Sequence, residues 1–297
     1  MISSPIVAAV TPFDERGVVD YAALGDYLDL LIEAGVQSLL VNGTTGEFPS
    51  MSLVERREVV DFCRQRWPRR LIAHVGASAV GDTETLIQAA NDCADALAVI
   101  TPYFFADAPE AGIGEFFECA LASARKPVLL YNFPRHTQNS LAPALVTRLS
   151  AKLPLLWGVK DSGKDLSITQ EFKARCPRLR VFVGDDRIGI RVAELGIDGV
   201  VTGAGGPVPE LPLGIAAAVG RGDVVAARHL QATFDCYSDA RKAMPLTDIA
   251  FVKAALAARL PGFPPHVRPP LVTASAEQCQ SIRTFMRDNM INKLSPF

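Results

Sequence analysis

Four histidines, six scattered cysteines and a net charge of −2 leave this 297-residue sequence short of what several functions require. The cysteines, Cys63, Cys93, Cys119, Cys176, Cys236 and Cys279, include no Cys-x-x-Cys pair. They read as reduced thiols of a cytosolic protein, with no zinc site. The histidines form no His-x-x-x-His pair and no Asp/His cluster, which argues against a metal enzyme. His74 falls inside an apolar run and reads as a satisfied core residue, whereas His229 and His266 lie in the C-terminal part. Basic residues form no run, so a nucleic-acid partner is not expected. No stretch approaches the roughly 20 apolar residues of a membrane span. The start, Met1-Ile2-Ser3-Ser4-Pro5, has no basic region leading into an apolar one, so no signal peptide is expected and the expected location is the cytoplasm.

What the sequence does have is apolar mass. Hydrophobic residues make up 49% of it, ample for a large core and contrary to disorder. Apolar runs of strand length occur at 6–11, 37–41, 71–75, 97–101, 127–131, 155–160, 180–183 and 198–202, and each gap between them holds a helix-sized amphipathic stretch. In the first gap Leu24, Tyr27, Leu28, Leu31 and Ile32 recur at helical spacing from about Asp20 to Ala34, with Asp20 as N-cap and Gly35 as the stop. Eight runs at intervals of ~25–35 residues fit successive βα units. Runs apolar on both faces fit a parallel sheet covered by helices. The expected fold is therefore α/β, a closed (β/α)8 TIM barrel, with a doubly wound open sheet as the alternative.

After residue 206 only helical patterns remain, at about 208–219, 223–240, 247–259 and 275–291, and Pro261-Gly262-Phe263-Pro264-Pro265 breaks the last two apart. The first of these closes the barrel. The expected organisation is a catalytic barrel over 1–220 and a C-terminal helical extension over 221–297, packed on the barrel or on a partner subunit.

In such a barrel the active site forms at the C-terminal ends of the strands. The sixth run, Leu155-Leu156-Trp157-Gly158-Val159-Lys160, ends in a lysine. A lysine there either reaches water or has its ammonium form discouraged by desolvation, and a deprotonated amine attacks carbonyls. The fifth run ends in Tyr131-Asn132-Phe133-Pro134, followed by Arg135 and His136. A tyrosine at this rim can move protons or simply bond a backbone carbonyl. Arg135 and His136 offer donors to an acidic or polyhydroxy substrate, or are ordinary loop charges. Tyr131 and Lys160 fall on consecutive strands, which pairs a nucleophile with a proton-transfer group. The second run ends in Gly43-Thr44-Thr45-Gly46-Glu47, a turn that can present backbone N–H groups to a carboxylate or be an ordinary glycine-rich connection. Tyr103-Phe104-Phe105 ends the fourth run and suits a pocket, core or interface. Gly184-Asp185-Asp186 ends the seventh, and small residues from Gly203 to Gly206 leave room after the eighth for a ligand or phosphate.

Gly43-Thr44-Thr45-Gly46-Glu47, Thr101-Pro102-Tyr103, Tyr131-Asn132-Phe133-Pro134, Val159-Lys160-Asp161-Ser162 and Gly184-Asp185-Asp186 occur in the order and spacing of one family. By these motifs the whole chain resembles the dihydrodipicolinate synthase/N-acetylneuraminate lyase family. The resemblance implies a metal-free class I aldolase or lyase acting on pyruvate or another 2-keto acid and an aldehyde. It implies no cofactor beyond a covalent lysine imine with substrate, and a homo-oligomer, tetramer or dimer. By the same resemblance Lys160 is the Schiff-base lysine and Tyr131 moves protons. Thr44 and Thr45, next to Gly43, hold the keto-acid carboxylate, and Thr44 joins the proton relay. Val201 is the strand-eight position whose carbonyl faces the lysine. Tyr103, Phe104, Arg135, His136, Gly184 and Asp186 fall on the substrate side.

Two positions depart from the lysine-biosynthetic synthases. Phe104 stands where a second tyrosine of the relay is expected, and His136 stands where an arginine grips the second substrate. Gly46-Glu47-Phe48-Pro49 and Lys160-Asp161-Ser162-Gly163 look more like 4-hydroxy-2-oxoglutarate aldolases. Val41-Asn42-Gly43-Thr44-Thr45-Gly46 and Tyr131-Asn132-Phe133-Pro134 look like 2-keto-3-deoxygluconate aldolases. The favoured expectation is cleavage of a 4-hydroxy-2-keto acid, such as a 2-keto-3-deoxy sugar acid. A dihydrodipicolinate synthase, a keto-acid dehydratase and a non-catalytic keto-acid binder are the alternatives.

Overall fold

The computed structural model describes residues 2–291. Eight parallel strands follow one another around a closed barrel: β1 (Ile6–Ala8), β2 (Ser38–Val41), β3 (Arg70–His74), β4 (Ala96–Ile100), β5 (Val128–Asn132), β6 (Leu156–Asp161), β7 (Arg180–Val183) and β8 (Gly199–Thr202). β8 closes on β1 through Ile6–Val201 and Val7–Thr202. The open-sheet alternative is thereby excluded. Each expected apolar run coincides with a strand to within a residue or two, except at the end of the first. The first is shorter than 6–11, because Thr11 turns its hydroxyl to Gly46 O at 3.0 Å and Pro12 has no N–H for a ladder.

Both faces of the strands are buried, which explains their unbroken apolar character. Ile6, Ala8, Leu40, Ile72, Ala96, Ala98, Leu129, Phe182 and Val201 fill the barrel interior. Alternate residues such as Val7, Leu39, Leu71, Leu97, Leu130, Val159 and Val181 face the surrounding helices. At the upper mouth Phe48, Ile100 and Tyr131 make a small apolar collar with Tyr103 and Phe133.

The helices on the barrel are α1 (Tyr21–Glu33), α2 (Leu53–Arg66), α3 (Val80–Ala90), α4 (Glu110–Ala120), α5 (Pro134–Thr137), α6 (Pro143–Lys152), α7 (Leu166–Arg175) and α8 (Glu210–Gly220). α1 begins at Asp20, whose carboxylate accepts the Ala23 N–H at 2.9 Å, and stops before Gly35, whose φ of +91° a side chain would strain. The gap between β7 and β8 departs from the pattern: it holds only a short 3-10 segment, Asp186–Arg191. Three glycines at 184, 189 and 196 within fifteen residues weaken any helix there.

Beyond α8 the chain forms α9 (Val224–Ala243), α10 (Asp248–Arg259) and α11 (Ala276–Phe285). The expected pattern over 275–291 breaks after Phe285 into a wider helical turn, Met286–Met290. Residues 292–297 of the expected extension, like Met1, lie outside the described residues. α9 lies along α8 and the 186–191 segment, and α11 packs on α10. Among the described residues no helix is long and apolar enough to cross a membrane.

Candidate active site

Lys160 and Tyr131 are direct partners across the β5–β6 ladder. A bulge produces that register. Val128 pairs with Leu156 but Leu129 pairs with Gly158, so Trp157 is the extra residue. In an unbulged ladder, with Leu129 opposite Trp157, Tyr131 would face Val159 and the lysine would fall on the opposite face of the sheet. With the bulge, Lys160 Nζ lies 3.8 Å from the centroid of the Tyr131 ring, a cation–π contact inside the barrel mouth. Both residues are buried, at 6% and 2% exposure.

The strand ends are pinned by Asn132 and Asp161, which directly follow Tyr131 and Lys160. Asp161 Oδ1 accepts Asn132 Nδ2 at 2.8 Å and the Gly163 N–H at 2.9 Å, while Oδ2 accepts the Thr169 hydroxyl at 2.5 Å. Asn132 Oδ1 in turn accepts the Leu141 N–H at 2.9 Å. These bonds lock β5 to β6 immediately beyond the Lys160–Tyr131 pair. Gly184 follows suit: its N–H bonds Asp161 O at 2.7 Å, and a Cβ there would come within 2.2 Å of Ser162 Oγ. Gly184 therefore serves close packing of β7 on β6.

The turn after β2 reaches the same mouth. Thr44 Oγ1 lies 3.3 Å from Tyr131 Oη. Gly46 N bonds Gly43 O at 3.0 Å and Glu47 N bonds Thr44 O at 3.1 Å, which closes the turn. The N–H groups of Thr44 and Thr45 find no acceptor among the described residues. Thr45 faces the loop after β8, where a Cβ on Gly203 would approach its Oγ1 to 2.6 Å. A Cβ on Gly206 would meet Tyr27 Oη at 2.3 Å. At both positions glycine therefore lets a neighbouring side chain pack close to the backbone. Val201 lies on β8 with its side chain in the barrel interior.

Other expected residues lie farther out. Tyr103 packs edge-on against Phe48, with ring centroids 5.9 Å apart. Phe104 is 86% exposed, has a φ of +85° and packs edgewise on Phe105, itself exposed. Arg135 and His136 sit exposed on the one-turn α5. The His136 ring contacts Phe133 at 4.2 Å, and Phe133 stacks on Tyr131 at 5.7 Å. Partial burial, and then Arg135, lowers the His136 pKa. Asp186 lies against Thr202 and Arg241, and burial raises its carboxyl above the usual range.

Two residues beside the site gave no signal as site residues in the sequence. His74, on β3, sits edge-on to Tyr131 at 6.1 Å. Burial, then Arg56, then Lys160 holds its imidazole well below the usual range, so it is neutral. Arg56 on α2 is buried beneath Phe48, donates to His74 O at 2.9 Å and is lowered to about 10 by burial. One arginine in the charged stretch Glu55-Arg56-Arg57-Glu58 reads as solvated; only the fold turns it inward.

The whole arrangement has relatives. The Dihydrodipicolinate synthetase family matches residues 1–288. A 4-hydroxy-tetrahydrodipicolinate synthase of Bacillus subtilis is 34% identical over 199 residues, covering 66% of this chain and 68% of the relative. A 2-dehydro-3-deoxy-D-gluconate/2-dehydro-3-deoxy-phosphogluconate aldolase of Thermoproteus tenax is 31% identical over 236 residues, covering 79% of this chain and 76% of the relative. Among solved structures, YagE of E. coli, a prophage protein of the dihydrodipicolinic acid synthase family in complex with pyruvate, superposes with a TM-score of 0.88 at 26% identity, covering 95% of this chain and 97% of that one.

Proposed function

The chain belongs to the dihydrodipicolinate synthetase family, and from that premise we propose that it is a class I, pyruvate-forming aldolase of a 4-hydroxy-2-keto acid, such as a 2-keto-3-deoxy sugar acid. The observation that carries this reading is the Lys160–Tyr131–Thr44 constellation: Nζ 3.8 Å from the Tyr131 ring centroid and Thr44 Oγ1 3.3 Å from its hydroxyl. A nucleophile, a proton carrier and a hydroxyl relay at one mouth are what imine chemistry needs.

In this mechanism the keto-acid carboxylate lies on the Thr44 and Thr45 N–H groups and the Thr45 hydroxyl, while the Thr44 hydroxyl stays on Tyr131. Lys160 attacks the ketone, and loss of water gives a protonated imine that accepts electrons. Tyr131, relayed through Thr44, takes the proton of the C4 hydroxyl as the C3–C4 bond breaks. An aldehyde leaves and an enamine remains on Lys160. Protonation at C3 and hydrolysis return pyruvate and the free amine. No metal or organic cofactor enters these steps. The enzyme works as a cytoplasmic homo-oligomer, tetramer or dimer, in which the exposed Phe104 and Phe105 suit burial against a second copy. The catalytic groups lie in the barrel of residues 1–220, and the helices from 221 onwards form a C-terminal extension of it.

The relatives' names support two substrates. The Bacillus relative is named a synthase and the Thermoproteus relative an aldolase. Phe104 favours the aldolase, because a phenyl ring brings no hydroxyl to the relay, and His136 brings no bidentate guanidinium for a second carboxylate. The test is a retro-aldol screen of 2-keto-3-deoxy acids and 4-hydroxy-2-oxoglutarate with pyruvate detection. Turnover is expected there, and pyruvate with aspartate semialdehyde should react poorly. Efficient condensation with that aldehyde would reverse the assignment. A keto-acid dehydratase would release water in place of an aldehyde, and a mere binder would turn over nothing in the panel.

A further inference from the structure

Glu47 and Lys253 form an ion pair in which both side chains are fully buried, with Lys253 Nζ 2.5 Å from Glu47 Oε1. Glu47 is the last residue of the Gly43-Thr44-Thr45-Gly46-Glu47 turn. Its φ of +59° is a left-handed conformation that a non-glycine residue keeps only when its surroundings hold it there. Those surroundings come from the far end of the sequence. Oε2 accepts the Arg268 N–H at 2.9 Å, and Lys253 reaches in from α10. Lys253 Nζ also donates to His266 O at 2.7 Å and lies 4.2 Å over the Phe13 ring.

An ion pair so deeply buried contributes little net stability over apolar residues of the same shape, since desolvation offsets most of the attraction. Geometry is what it does fix. The carboxylate must present one oxygen to Nζ and the other to the Arg268 N–H, which sets the Glu47 backbone. Glu47 N in turn bonds Thr44 O at 3.1 Å, so the setting passes to the two threonines. Burial lowers Lys253 to about 8 against the pull of Glu47, consistent with a cation held here by its partners rather than by solvent.

We propose that Glu47 and Lys253 are positioning residues for the substrate carboxylate, through which the C-terminal helices aim the Thr44 and Thr45 N–H groups. The inference rests on the reading of that turn as the keto-acid anchor. It makes the helical extension part of substrate loading.

Pyruvate-dependent borohydride trapping at Lys160, followed by mass spectrometry well below the unfolding temperature, tests it. In Glu47→Gln and Lys253→Met proteins the half-saturating pyruvate concentration should rise roughly tenfold (~1.4 kcal/mol). The label at saturating pyruvate should still reach the wild-type extent, and turnover at saturation should change less than half-saturation does. The double variant should be no worse than the poorer single one, because the two residues act as a unit. Hydrogen exchange on the wild-type protein needs no variant. By linkage, saturating pyruvate should slow exchange in peptides covering 262–275.

A lowered melting temperature with unchanged half-saturation, or no exchange change in 262–275, overturns the inference and leaves a merely structural pair. A wild-type Lys160 that pyruvate does not label removes the reading of the site itself, and this inference with it.

Discussion

Trp157 decides where Lys160 points. As the extra residue of the β6 bulge, it shifts the ladder by one, so that Tyr131 faces Lys160. Its own ring lies 5.7 Å from Phe182 in the barrel interior. Gly158 beside it admits the β7 backbone, since a Cβ there would stand 2.4 Å from Arg180 O. The pairing of lysine and tyrosine therefore depends on an irregularity of the strand as much as on the residues it carries.

The Lys160–Tyr131 contact separates the two roles. Lys160→Ala should abolish both borohydride-trapped adduct and turnover. Tyr131→Phe keeps the ring face beside Nζ but loses the hydroxyl. It should still form the adduct with pyruvate, while kcat falls by ~10²–10⁴, the usual share of a general acid–base group. Loss of adduct in Tyr131→Phe would mean that the hydroxyl acts in imine formation rather than in cleavage.

Thr44 tests the relay. Thr44→Val removes the hydroxyl 3.3 Å from Tyr131 Oη and leaves the backbone N–H groups in place. One neutral hydrogen bond is worth ~0.5–1.5 kcal/mol. Turnover should therefore fall roughly 2- to 10-fold, with pyruvate half-saturation nearly unchanged. A rise in half-saturation alone would assign the hydroxyl to the carboxylate instead.

Asp161 is a matter of stability. It is 1% exposed and takes three hydrogen bonds, from Asn132, Gly163 and Thr169. Asp161→Ala strands the buried Asn132 amide and the half-buried Gly163 N–H, at ~1–3 kcal/mol for each unmet donor. Urea unfolding should register a loss of roughly 3–5 kcal/mol. Asp161→Asn keeps one acceptor and should lose distinctly less.

The sequence made the barrel legible because its signal is repeated: eight apolar runs, each buried on both faces, admit few other arrangements. Capping was legible too, since Asp20 and Gly35 do at α1 what their chemistry suggests. The β7–β8 gap was not, because its amphipathic pattern outlasts its ability to form a helix around three glycines. At the site, Lys160 and Tyr131 could be placed on neighbouring strands, but not in register. Register hangs on the bulge, and nothing in Leu156-Trp157-Gly158 announces one. Glu47 was visible only as the end of a motif. Its partner Lys253 lies 206 residues away, beyond any local pattern, and Arg56 reads like its exposed neighbours until α2 docks.

Acid sensitivity should be traceable to a clamp on the same C-terminal segment. The Arg268 guanidinium binds the Glu55 carboxylate, with Nη1 3.1 Å from Oε2, and also bonds Ser50 O at 2.8 Å and Gly17 O. Hydrogen bonding from Arg268, aided by the Ser52 N–H and hydroxyl, lowers Glu55 from 4.5 to about 2. A folded-state value below the unfolded one means that the unfolded chain binds the extra proton, so stability rises with pH across the interval between them. This contribution is fully present above about 4.5 and is lost as pH falls through about 2. Glu55 is partly open to solvent, so screening reduces its size. Chemical unfolding of wild type and Glu55→Gln along a pH series should show a wild-type advantage that is flat at neutral pH and shrinks steadily below 4.5. An advantage that stays constant down to pH 2 would assign the clamp's effect to packing of the Arg268 side chain, whose guanidinium carbon lies 4.2 Å from the Phe13 ring centroid, and not to charge.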